Sequence, residues 1–175
     1  GTVDQRVLLN SNLCKHFHLE VLRCRNDFVC TSIDRVPYVT MTITKLTEAD
    51  RTAVEGYPEE PDEHSAGFLT NFRTCVLEDH GEIFVIKEEE ILGYLAYSYG
   101  DYGENTCGMY FIHVRQDRRN QGLGTQLAAA YAREKLLQGV IPFYENAVNE
   151  ASERTALKAG FVCCREEYRA EACRR

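Results

Sequence analysis

From residue 82 onward, apolar and polar positions fall into clear periods. "EIFVI" and "ILGYLAYSY" are apolar, aromatic-rich runs joined by "KEEE", which predicts an antiparallel hairpin over 82–99. "CGMYFIHV" at 107–114 is apolar on both faces apart from His113, the pattern of a central strand. "LGTQLAAAYAREKLLQG" predicts a long helix: Leu123, Leu127, Ala130 and Tyr131 fall at i, i+4, i+7 and i+8, and Gly139 supplies the stop. Ala128, Ala129 and Ala132 widen that stripe, so the helix is expected to be covered on two sides. "VIPFYENA" predicts a strand. "NEASERTALKAG" predicts a short helix with Asn149 as N-cap, Glu150 and Glu153 in its first turn and Gly160 at its end. "FVCCREEYRAE" predicts a last strand.

The first half is less regular. Residues 1–15 carry little pattern, whereas "FHLEVLRC" and "DFVCTSI" alternate on either side of polar "RND", which predicts a hairpin. "YVTMTITKL" reads as a strand, and "TEADRTAVEG" as a helix capped by Thr47. "SAGFLTNFRTCVLED" reads as a second helix, with Phe68, Phe72, Cys75 and Val76 at helical spacing. Between the two helices, "YPEEPDEH" holds two prolines and four carboxylates and predicts a surface loop. We therefore divide the chain into an N-terminal extension over 1–40, a hairpin and remnant of an upstream region, and one domain over 41–175. The element order predicts an α/β (α+β) mixed sheet with helices on both faces.

Composition narrows the function classes. The 175 residues are 44% hydrophobic and 27% charged, the balance of a globular protein, and no run approaches the ~18 uninterrupted apolar residues of a membrane span. No basic-then-apolar leader opens the chain, so a cytoplasmic location is expected. A net charge of -7 argues against nucleic acid as the main partner and favours a cationic one. The eight cysteines form no CxxC pair, so buried thiols are expected rather than a zinc site. Cys14, His16 and His18 of "CKHFH" lack a second ligand cluster of metal-binding spacing.

The chemistry concentrates in "VRQDRRNQGLGTQL", between the predicted central strand and the long helix. Backbone N–H groups at such a junction point one way at the positive end of the helix dipole, a natural seat for phosphate. Gly122 and Gly124 let an anion approach the backbone, and Arg115, Arg118 and Arg119 add positive charge. A Walker A loop needs Lys-Ser/Thr after its last glycine, where this chain has Thr125 and Gln126. A dinucleotide fingerprint needs a third glycine where Leu127 stands. Both nucleotide loops fail, leaving a different phosphate cradle or a tight turn with solvated arginines.

Arg119-x-x-Gly122-x-Gly124 resembles the Arg/Gln-x-x-Gly-x-Gly/Ala signature of the GNAT acyltransferase superfamily. The resemblance continues in register through "TITKLTEAD", Val114, "NEAS" and "KAGF", covering roughly residues 42–168. "PFYENAVNEAS" further resembles a Pro-aromatic-aromatic segment of one bacterial GNAT subgroup.

The resemblance implies a central, mostly antiparallel sheet that splays at the cofactor site, with helices on both faces. It implies acetyl-CoA as acyl donor, no metal, and a primary amine of a small molecule or peptide as acceptor, and it allows a homodimer. Ile112 and Val114 would pair through their backbones with the pantetheine arm, as an added strand. Arg119, Asn120, Gln121, Gly122, Leu123, Gly124 and Thr125 would hold the pyrophosphate. Asn149 has two compatible roles, a bond to the arm's amide and a helix cap. Ser152 is open between ligand contact and first-turn polarity.

The reaction implied is direct attack of a deprotonated amine, with a donor for the oxyanion and a proton for the departing thiolate. The tyrosine that usually serves the thiolate would stand four residues before the glycine of Gly-Phe, where this chain has Ala156. Tyr144 and Glu145 are the replacement catalytic candidates, with His113 and Tyr168 behind them. Each also has a plain structural reading, in core packing or at a sheet edge. Two functions follow: an acetyl-CoA-dependent N-acetyltransferase, or an acyl-CoA-binding module without catalysis.

Overall fold

The structure is a computed structural model that describes residues 19–58, 67–100, 102–147 and 149–172. Seven strands form one sheet: β1 (Leu19–Val29), β2 (Ile43–Lys45), β3 (Gly81–Lys87), β4 (Ile91–Tyr99), β5 (Thr106–Val114), β6 (Ile141–Ala147) and β7 (Val162–Ala172). Their order is β2-β3-β4-β5-β6-β1-β7. Every neighbouring pair is antiparallel except β5–β6, which is parallel. The mixed sheet matches the expected fold class, with β5 as its fourth and central strand.

Among the described residues, four α-helices cover it. α1 (Arg51–Glu55) follows a 3-10 turn at Glu48–Asp50, and α2 (Phe68–Phe72) runs on into a π-type turn at Arg73–Leu77. α3 (Leu123–Leu137) and α4 (Glu150–Lys158) lie on the opposite face. Two cores result. One gathers Leu127, Ala128, Tyr131, Tyr144, Ala156 and Phe161 beneath α3 and α4, and the other gathers Val54, Tyr57, Phe68, Phe72, Val85 and Tyr94 beneath α1 and α2. Leu123, Leu127, Ala128, Ala129, Tyr131 and Ala132 of α3 are all buried, so the alanines do extend its covered face. At this packing, Leu127→Ala would cost about 3 kcal/mol.

Two expectations need correction. The hairpin over the early segment is one 11-residue strand, β1, inserted between β6 and β7. Its polar centre looked like a turn because two register shifts, at Arg23/Arg25 and Asp27/Phe28, interrupt the alternation. Asn26 is fully buried there because its side-chain amide donates to Glu153 Oε1 at 2.8 Å. Of "YVTMTITKL", only Ile43–Lys45 pairs as strand. The N–H groups of Thr40 and Met41 instead donate to Gln126 Oε1 of α3, at 2.8 and 3.3 Å. Thr47 does start its helix, and its N–H donates to the Asp50 carboxylate at 2.8 Å.

Candidate active site

The β5–β6 pairing runs from Thr106↔Ile141 to Met109↔Tyr144 and stops there, although β5 continues to Val114 and β6 to Ala147. Beyond that point β5 is held by β4, and β6 by β1 through Phe28↔Tyr144 and Asn26↔Ala147. Two strands held from opposite sides leave a seam between them. Tyr110 sits at its mouth as the extra residue of a bulge, because Ala96 pairs with Phe111 and Tyr97 with Met109. The bulge places Tyr110 and Phe111 both toward the α1–α2 core.

The ladder fixes which backbone groups face the seam. Arg115 N–H donates to Leu92 O at 2.9 Å, in register with the Gly93↔Val114 and Tyr94↔His113 pairs. Antiparallel bonding alternates, so His113 and Phe111 direct their polar groups to β4, while Ile112 and Val114 direct theirs into the seam. A cleft of about 560 Å³ fills this space and reaches the glycine loop.

At the wide end of the seam, Asn120 and Gly122 adopt left-handed backbone, with φ of 62° and 77°. Gly122 meets a conformational demand, and a Cβ there would touch nothing within 4 Å. Gly124 answers a spatial one: a Cβ would come within 3.4 Å of Thr155 Cγ2 on α4. No side chain caps α3, and its first backbone bond runs from Gln126 N–H to Gly122 O at 3.0 Å. The N–H groups of Leu123, Gly124 and Thr125 precede that bond and belong to cleft-lining residues. Gln121 is exposed and outside the lining.

The arginines divide. Arg115 is engaged by Glu90 at 2.8 Å and Asp117 at 3.0 Å and does not line the cleft. Arg118 lines it and also meets Glu88 at 3.2 Å. Arg119 anchors the loop through Nε, which donates to Val114 O at 3.1 Å. Sequence reasoning missed Arg154 and Lys158, which line the cleft from α4 with Ala151 and Thr155. Their i, i+3, i+4, i+7 spacing carried the signal for a shared face.

At the narrow end, Tyr144 is fully buried, with edge contacts to Phe28 and Phe161. Its hydroxyl lies 2.9 Å from Ser152 Oγ, and Ser152 N–H donates to Asn149 Oδ1 at 2.8 Å. Asn149 is therefore the N-cap of α4, with its amide nitrogen as the group left to offer the cleft. Burial pushes the Tyr144 phenol up to about 12, with the Ser152 bond acting the other way. Ala156 is buried beside these residues in the same core.

Glu145 follows Tyr144 and so points to the opposite face of the sheet, half-buried and lining the cleft. Burial and then the Glu145 and Asp27 carboxylates push the neighbouring Tyr102 hydroxyl up, keeping it protonated. His113 also lines the cleft. Its Nδ1 is 2.7 Å from Tyr57 Oη, and its Nε2 is 3.5 Å from Arg119. A guanidinium only donates, so that geometry suits an Nδ1–H tautomer donating to Tyr57. His113 lies four residues past Met109, roughly 13 Å along the strand at ~3.3 Å per residue, whereas Glu145 is one residue past the last pair. The Tyr168 side chain, "CKHFH" and the acidic part of "YPEEPDEH" lie outside the described residues.

Among the described residues no group of three His, Cys, Asp or Glu side chains is arranged to hold a metal ion, and no helix is long and apolar enough to cross a membrane.

The mixed sheet opens after its one parallel pair, and an uncapped, glycine-led helix stands at the wide end of the opening, the arrangement that the GNAT resemblance implies. The chain belongs to the GNAT acetyltransferase family, whose model, described as "Acetyltransferase (GNAT) family", matches residues 43–161. Its fold is similar to a GNAT acetyltransferase from Colwellia psychrerythraea, with TM-score 0.65, 16% identity, and 97% of this chain and 61% of that chain covered. It is also similar to a GNAT-family acetyltransferase from Novosphingobium aromaticivorans, with TM-score 0.61, 14% identity, and 86% and 65% covered. A third likeness is AAC(6')-Iy in complex with the bisubstrate analog CoA-S-monomethyl-acetylneamine, with TM-score 0.52, 20% identity, and 77% and 94% covered. The chain thus spans under two thirds of the length of the first two. No curated protein sequence matches it.

Proposed function

We propose that this chain is an N-acetyltransferase that moves an acetyl group from acetyl-CoA to a primary amine of a small molecule or peptide by direct attack. The observation that carries this is the opening of the β5–β6 seam at Met109↔Tyr144, flanked on its two faces by Tyr144 and Glu145 and leading to the uncapped start of α3. The likeness to AAC(6')-Iy, solved with a CoA bisubstrate analog, supports the donor assignment. The site also fits the donor on its own terms. It combines N–H groups at an open helix start, a glycine with space above it, and Arg118, Arg119, Arg154 and Lys158 around one cleft.

When bound, the donor supplies the thioester. The residues do the rest. Leu123, Gly124 and Thr125 present N–H groups, and Arg119 and Asn120 charge and polarity, to the diphosphate. Ile112 and Val114 pair with the amide-bearing arm, and the Asn149 side-chain amide adds a donor. The Tyr144 hydroxyl donates to the sulfur as negative charge develops there. With a phenol near 12, it acts as a hydrogen-bond donor rather than giving up its proton outright. Glu145 attracts the acceptor ammonium and takes its proton, directly or through water. Thermal unfolding with acetyl-CoA, followed by thiol release on an amine panel, tests both halves; no stabilisation and no thiol would refute the reading.

Ala156 favours a second reading, an acyl-CoA-binding module without catalysis, because it leaves the family's usual tyrosine position filled by a buried methyl. Stabilisation by acetyl-CoA without thiol release from any amine would select it.

A further inference from the structure

The α1–α2 side of the cleft is walled by a column of rings. Phe68 stacks on Tyr94 at 3.7 Å with 4° between planes, and Tyr94 stacks on Phe111 at 5.4 Å with 20°. Tyr57 braces the column edge-on against Phe68 and Tyr94, at 5.0 and 5.7 Å. Phe68 and Tyr94 are buried, whereas Phe111, with the His113 ring stacked 6.4 Å away at 22°, is half-buried and lines the cleft beside it. The Tyr110 bulge keeps Phe111 on this face, and Tyr110 is itself fixed by its hydroxyl, 2.9 Å from Cys75 Sγ. A ring held this way cannot fold into the core, so its contact area is ready before any ligand arrives. Glu145 is on the same face of the sheet, and it is the one carboxylate among the described residues that line the cleft.

We infer that the acceptor is a primary amine on a flat aromatic stem, its ring against Phe111 and its ammonium toward Glu145. One carboxylate matches one ammonium. A polyamine or aminoglycoside would bring several cations into a cleft that already holds Arg118, Arg119, Arg154 and Lys158. The inference rests on the acetyl-transfer reading. In that step the N–C bond forms and the C–S bond breaks. The ammonium loses two protons, one ending on the thiol and one in solvent.

The chain contains no tryptophan, so the indole fluorescence of tryptamine, excited on the red side of tyrosine absorption, can be followed without tryptophan background. With protein saturated by coenzyme A, tryptamine polarisation should rise, and 2-phenylethylamine should reverse it at concentrations where spermidine does not. Phe111→Ala should weaken tryptamine about tenfold while acetyl-CoA still raises the melting temperature. Phe111→Leu, which keeps the apolar bulk and loses the ring face, should show the same direction of loss. Equal affinity in both variants, equal displacement by spermidine, or no polarisation change in a protein that coenzyme A stabilises would each overturn the acceptor class alone. Absence of stabilisation by coenzyme A would overturn the acetyl-transfer reading beneath it.

Discussion

At the C-terminal end of α3, Lys135 is 3% exposed, with its ammonium 3.6 Å from Glu82, 3.4 Å from Glu134 and 4.4 Å from the Tyr97 ring centroid. Lys45 completes the group at 3.0 Å from Glu82 and 2.9 Å from Glu134, and the Tyr97 hydroxyl donates to Glu82. About 18 Å away at 1.5 Å per residue, the N-terminal end of the same helix has no side-chain cap, a left-handed glycine, and cations facing a cleft. Charge at the closed end is answered inside the fold, so it serves stability. At the open end, donors and positive charge converge on the cleft, where the proposed donor site lies. The same secondary element separates the two kinds of polar group cleanly enough to test them apart.

The largest effect should come from the closed end. Lys135→Ala leaves Glu82 and Glu134 short of one cation and removes a buried stem, for a loss of about 3 kcal/mol in denaturant unfolding. Its acetyl-CoA affinity should stay at the wild-type value, and a matching fall in affinity would break the separation. Next, Tyr144→Phe keeps the buried ring and deletes its hydroxyl. We expect kcat to fall about a hundredfold, with acetyl-CoA stabilisation intact, in steady-state thiol release. At the open end, Gly122→Ala forces a side chain into left-handed backbone. It should cost about 1 kcal/mol in stability and weaken acetyl-CoA about tenfold by calorimetry.

The smallest effect is in pH. Burial alone would raise the Glu82 carboxyl, but the Tyr97 hydroxyl, Lys45 and Lys135 more than offset it and hold it below its ordinary value. A carboxyl lowered on folding stabilises the fold at neutral pH and loses that contribution as pH falls through the folded value. Lys45 is the converse: burial would lower it, yet Glu134 and Glu82 raise it, so its contribution is lost only as alkaline pH passes its folded value. Glu82 is about a third exposed, so wild type should lose only roughly 0.5 kcal/mol more than Glu82→Gln on acidification. A larger loss in the glutamine variant would contradict this.

The difference between the two ends also accounts for what the sequence could disclose. The geometry of the open end was legible: Gly122 and Gly124, set between a strand run and a helix run, mark a tight loop opening a helix, and Asn149 sat at a recognisable cap position. The strands from β3 to β7 and both long helices followed from periodicity because each buries a regular face. β1 did not, since its interior polar residues are satisfied by partners far along the chain, as Asn26 is by Glu153. The Tyr110 bulge, which puts Phe111 beside the seam, depends on cross-strand register and has no local signature. The closed-end network was invisible for the same reason: Lys45, Glu82 and Lys135 come from three separate elements.

The most direct test of the account is thermal unfolding of wild type and Gly122→Val with and without acetyl-CoA. Wild type should gain about 2.7 kcal/mol at a hundredfold excess over the dissociation constant, and the valine variant, folded but with its loop backbone forced out of the left-handed region, should gain almost none. No gain in wild type at saturating acetyl-CoA, or equal gains in both proteins, would contradict the assignment of the open end of α3 as the donor site.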